Sequence, residues 1–76
     1  MNKERRKMLA EAQSLVEKAK DIVDDVLIDE EDVLYNLEEN FSGTERYSKI
    51  ESNVENLEEL VCNLEEVIDQ FDTVED

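Results

Sequence analysis

Seventy-six residues carry 8 bases and 23 acids, a formal net charge of -15. A chain this short buries too little surface for comfort unless it is stapled, metal-bound or oligomeric. One cysteine and no histidine exclude an internal disulfide and a histidine-containing zinc site, and the acidity turns away nucleic acid and anionic lipid as direct electrostatic partners.

The opening "MNKERRKMLAEA" lacks the apolar stretch of a signal peptide, and no run approaches the roughly 18 apolar residues of a membrane span. With its unpaired thiol, the chain reads as a soluble protein of a reducing cytoplasm. Charge is unevenly placed. Residues 1–20 hold six bases (Lys3, Arg5, Arg6, Lys7, Lys18, Lys20) against three acids, whereas residues 21–76 hold twenty acids against Arg46 and Lys49.

The first predicted element is a helix from about residue 3 to about residue 39. Ala12, Ala19, Val26 and Val33 share one heptad position and Met8, Leu15 and Ile22 another, flanked by Leu9, Val16 and Val23. The register then meets Asp29 and Asn36, and the apolar face rotates toward Leu27, Val33, Leu34 and Leu37. A straight helix drifts in this way against a strict heptad. The run "DEED" at residues 29–32 is where a bend or fraying is expected.

The chain lacks proline and has one glycine, Gly43, so the break falls in "NFSGTE", with a turn at about 40–43. Ser42 stands three before Glu45, the spacing of a capping box, which predicts a second helix from about residue 44 to about 73. In that helix Tyr47, Val54, Val61 and Ile68 fall at heptad position a, and Ile50, Leu57, Leu64 and Phe71 at d. All eight are apolar, and Leu60, Val67 and Val74 at g widen the stripe to three positions in seven, which suits a bundle better than a two-stranded seam.

The expected fold is therefore all-α: one antiparallel helical hairpin spanning residues 1–76. The short turn demands that direction. So does charge, since the basic start of the first helix and Asp69, Asp72, Glu75 and Asp76 at the end of the second are each misplaced for their own helix dipoles and offset one another side by side. Two helices alone leave broad stripes half exposed, so two hairpins are expected to pair as a homodimer, an antiparallel four-helix bundle.

The stretch from Asp29 to Asp69 resembles short acidic helical proteins of phages and prophages of Gram-positive bacteria. The matching residues are an opening of "MNK-R-K" type, the acidic patch before Asn36, Leu37 and Glu39, the turn followed by Thr44, Glu45 and Arg46, and the repeated "LEE" of the second half. Glu38 departs from that pattern, because a proline often follows the "NL" pair there, and the helix-to-turn boundary is shifted accordingly. The resemblance implies a phage origin and assigns no activity, the group being largely uncharacterised.

Catalysis has no support in the residue types. Cys62 has acidic neighbours and no adjacent base to activate a thiol, and sits at heptad position b as an incidental residue. "DIVDD" (Asp21, Asp24, Asp25) and "DEED" (Asp29, Glu30, Glu31, Asp32) attract cations diffusely, but neither has the alternating loop that wraps calcium. No metal or cofactor is expected.

Two functional readings stay open. Twenty carboxylates on a rod of roughly 45 Å approach the charge spacing of duplex DNA, about 1.7 Å per phosphate, so the chain reads as a nucleic-acid mimic for a basic nucleic-acid-binding host protein. The contact residues would be Asp21, Asp24, Asp25, Asp29, Glu30, Glu31, Asp32, Glu38 and Glu39 on the first helix. On the second they would be Glu51, Glu55, Glu58, Glu59, Glu65, Glu66 and Asp69, with Tyr35 as a candidate aromatic anchor. The alternative is a structural or adaptor bundle, whose acid serves solubility and whose g positions recruit partner helices.

Overall fold

The computed structural model describes residues 1–41 and 43–75, and of residues 38–41 the backbone alone. Helix α1 spans Lys3–Phe41 and helix α2 spans Glu45–Phe71, packed against each other as a hairpin with no strand among the described residues. The principal extents are 58 × 16 × 13 Å.

Local chemistry sets the ends. At the start of α1, Asn2 Oδ1 accepts the Arg5 backbone N–H at 2.8 Å, satisfying one of the donors that a helix N-terminus leaves free. Gly43 takes φ +90 in the turn, a conformation that costs glycine little and an L side chain more. Thr44 then holds an extended backbone and its Oγ1 accepts the Tyr47 N–H at 3.1 Å. The cap of α2 is therefore Thr44, not the predicted Ser42, which lies outside the described residues. Thr44 is the hydroxyl in contact with the N3 amide of a helix that begins at Glu45. At the far end no glycine closes α2. Instead Asp72 N–H bonds Asp69 O, Thr73 Oγ1 donates to Gln70 O at 2.7 Å, and Val74 N–H bonds Phe71 O, a tightened last turn.

The fraying expected at residues 29–32 is not seen: α1 is continuous through them. Straight-chain glutamates keep helix propensity there, and Val33, Leu34 and Leu37 just beyond are packed.

The seam is thin. Among the described residues, Ile50 and Val54 of α2 are the buried ones, while Tyr47, Leu57, Val61, Leu64, Ile68 and Phe71 are half-buried. On α1 the half-buried apolar positions are Leu9, Ala12, Val16, Val23, Leu27, Val33, Leu34 and Leu37. This corrects the expectation for α1: the flanking row Leu9, Val16, Val23 is the packed one, and Met8, Leu15 and Ile22 stand exposed at 63, 62 and 55 %. The reason lies further along the helix. The Met8 row runs into Asp29 and Asn36, whereas the Leu9 row meets Glu30, which stays half-exposed at the seam edge, resumes at Leu37 and is flanked by Leu27 and Leu34 of the adjacent row; one partner helix covers only one of the two.

Candidate functional site

Antiparallel packing sets residue n of α1 opposite about residue 84 − n of α2, as Lys20 Nζ lies 3.7 Å from Glu65 Oε1 and Asn53 Nδ2 lies 3.5 Å from Glu30 Oε2. This pairing sorts the charge along the rod. The half containing the turn, residues 21–63, holds 14 acids and 2 bases, net -12; the half containing both termini holds 9 acids and 6 bases, net -3. Folding the chain back brings the acidic tail of α2 beside the basic start of α1, so the acid excess is concentrated at the turn half.

Within that half Asp21, Asp25, Asp29, Glu31, Asp32, Glu51, Glu55, Glu58 and Glu59 are exposed, and Asp24 and Glu30 are half-exposed at the edge of the seam. Glu65, Glu66 and Asp69 are exposed on the terminal half. Tyr35 is exposed at 67 %, amid this acid. The side chains of Glu38 and Glu39 lie outside the described residues.

One cation serves this acid at the seam. Lys20 Nζ is 3.1 Å from Asp24 Oδ2 and 3.7 Å from Glu65 Oε1. The hydrogen bond and charge of Asp24 hold the Lys20 ammonium above its ordinary pKa, outweighing desolvation, which lowers it, while Glu65 and then Asp21 add to the rise. A second pair, Lys49 to Glu45 at 3.6 Å, is one turn of α2 on its exposed surface.

Known proteins offer no guide here. No family model, curated protein or solved structure matches the chain. Its chemistry has to be read from the residues alone. Among the described residues no three carboxylate or thiol groups converge as a metal site requires, because successive acids of "DIVDD" and "DEED" fan around the helix. Cys62 is a free, exposed thiol on the outer surface of α2. No helix among the described residues is long and apolar enough to cross a membrane.

A second surface was not legible as a unit in the sequence. Val26, Glu30, Asn53, Asn56, Leu57 and Leu60 line one shallow recess, and Leu9, Val67, Gln70, Phe71 and Val74 line another. The first places Leu60 on the flank where α1 presents Val26, the helical row that continues back through Ile22, Leu15 and Met8; Val74, beyond the end of α2, also borders Arg6, Ala10 and Gln13. Leu60, Val67 and Val74 are exposed at 43, 39 and 49 %, so Leu60 and Val67, expected in the dimer or core set, lie outside the hairpin's own core. The opposite flank is polar: Glu17, Lys20, Asp21, Glu65 and Asp69 surround Ile68 there. Each helix alone shows a wide stripe; their antiparallel packing turns the uncovered edges of both stripes to one side.

Proposed function

We propose that the protein is a non-catalytic inhibitor of phage type, acting in the cytoplasm of a bacterial host as an acidic nucleic-acid mimic. It occupies a basic DNA- or RNA-binding surface of a host defence protein, a nuclease or CRISPR effector. The observation that carries this reading is the density of acid in the turn half. Fourteen carboxylates on about 30 Å of hairpin give roughly one per 2 Å, close to the spacing of about 1.7 Å in duplex DNA. A helix pair needs nothing like that much charge for solubility, for which a net charge of magnitude about 2 to 8 suffices in a small domain. The exposed aromatic Tyr35 within this field supplies a group that could insert among basic side chains.

The test is capture from a Gram-positive bacterial lysate on the immobilised protein, eluted by a salt gradient and, in parallel, by duplex DNA. Mimicry requires that the captured protein bind nucleic acid and be released by both. A captured partner indifferent to salt and to DNA overturns it.

A second reading, a structural or adaptor module, is favoured by the exposed Leu60, Val67 and Val74. It requires that charge reversals on the turn half leave partner binding intact while Leu60→Asp abolishes it. Mimicry requires the converse.

A further inference from the structure

We infer that the apolar flank is covered by a second copy of this chain, laid antiparallel and offset so that the two terminal halves overlap and the two acidic turn halves project from opposite ends. This goes beyond the reading of the acid surface and does not depend on it.

Three observations carry it. The first is area. A compact folded chain of 8.9 kDa exposes about 4,800 Å², whereas this hairpin exposes 6006 Å². The surplus of about 1,200 Å² exceeds the roughly 800 Å² that each partner contributes to a standard interface, and with Ile50 and Val54 as its buried residues the hairpin has little core of its own.

The second is where the apolar residues lie. On the helical rows, Met8, Leu15 and Ile22 of α1 continue the row of Val26, which lies beside Leu60, and Leu60 and Val67 share the g row of α2; by the antiparallel pairing all five fall at the level of residues 8–24 of α1. That stretch lies largely in the terminal half, where the net charge is -3. Two copies meet there with little repulsion.

The third is charge complementarity, which selects direction and register. Side by side and parallel, two copies would set the turn halves, net -12 each, against one another. Centred on the flank and antiparallel, residue n of one copy meets about residue 32 − n of the other. Arg5, exposed and on the helical row of Met8 and Ala12, then comes within about one turn of Glu30 in the second copy. Glu30 lies beside Val26 and Leu60 in the recess on this same flank. The bases of residues 3–7 thus end over the partner's acids at 29 and 30, and the interface is self-complementary, as a two-fold axis demands.

The offset has a measurable length. The pair would extend about 75 Å, against 58 Å for one hairpin, and the exposed Ser48 residues of the two copies would stand roughly 60 Å apart; complete overlap gives about 40 Å and parallel pairing under about 30 Å. The experiment uses the full chain with Cys62→Ser and Ser48→Cys, spin-labelled, at about 100 µM, with sedimentation equilibrium on the unlabelled protein. The expected results are a dimer and a label distance near 60 Å. Leu60→Asp, on an exposed position, retains helical circular dichroism and sediments as a monomer. Arg5→Glu and Glu30→Arg each weaken the dimer about tenfold and together restore it. A monomer at this concentration overturns the second copy as occupant and leaves the flank to a different protein. A dimer with the shorter distance, or one that survives Leu60→Asp, overturns the arrangement.

Discussion

Lys20 of α1 reaches Glu65 of α2 across the seam, 3.7 Å from Nζ to Oε1, while holding Asp24 on its own helix at 3.1 Å. One ammonium therefore ties the two helices near mid-rod, at the border between the nearly neutral terminal half and the acidic turn half. Replacing it leaves Asp24 and Glu65 facing each other with Asp21 alongside.

Lys20→Gln is expected to lower the melting temperature by a few degrees. The pH dependence follows from the sign of the shift. The folded-state pKa of Lys20 is raised above its ordinary 10.5, so its contribution is complete below the unfolded value and fades as pH rises through the folded value. Melts followed by circular dichroism should show a constant gap between wild type and variant from pH 7 to 9, closing as pH rises beyond the ordinary 10.5. A gap that persists unchanged to the highest pH would mean that Lys20 acts through something other than its charge.

The thin core makes single truncations severe. Ile50 and Val54 are 9 and 7 % exposed, and a large-to-alanine change at a buried aliphatic site costs about 2–5 kcal/mol, less for valine. Ile50→Ala should lose most of the cooperative urea transition, whereas Tyr35→Ala, at a position 67 % exposed, should leave the midpoint nearly unchanged. Equal effects would place the core elsewhere.

Two turn substitutions separate side-chain from backbone chemistry. Thr44→Ala removes the acceptor of the Tyr47 N–H and should cost about 1 kcal/mol. Gly43→Ala meets no atom within 4 Å but must hold φ +90, so its cost, about 1–2 kcal/mol, is conformational alone. Gly43→Asn should recover part of it, because asparagine tolerates the left-handed region. Chemical denaturation of the four proteins measures all three differences.

Self-repulsion in the turn half should make stability rise with salt. Raising NaCl from about 20 to 300 mM shortens the screening length from roughly 20 Å to 6 Å and is expected to raise the melting temperature. The double change Glu31→Gln, Asp32→Asn should produce the same rise at low salt and flatten the salt dependence, while weakening capture of a nucleic-acid-binding partner. Stability and function would then move in opposite directions. A melting temperature that falls with salt would show these carboxylates to be specifically paired.

Periodicity and punctuation determined the hairpin before any packing was known. Eight apolar residues at consecutive a and d positions leave α2 no other buried face, and a chain whose one glycine is Gly43 can turn in few places. The acid, too, was countable along the chain. What the tertiary structure decided was which residues became neighbours. Both the Met8 row and the Leu9 row of α1 satisfy a helical period, and the choice between them depended on which row, with its flanking Leu27 and Leu34, follows a partner for the length of the rod. The cap passed from Ser42 to Thr44 because helix starts depend on hydrogen bonds between atoms, to which spacing rules are sensitive only within a residue or two. The division into an acidic turn half and a nearly neutral terminal half, with the row of Met8, Leu15, Ile22 and Val26 on the side of Leu60 and Val67, exists only once α2 folds back, since residues up to 59 positions apart in the chain are brought to one flank by antiparallel packing.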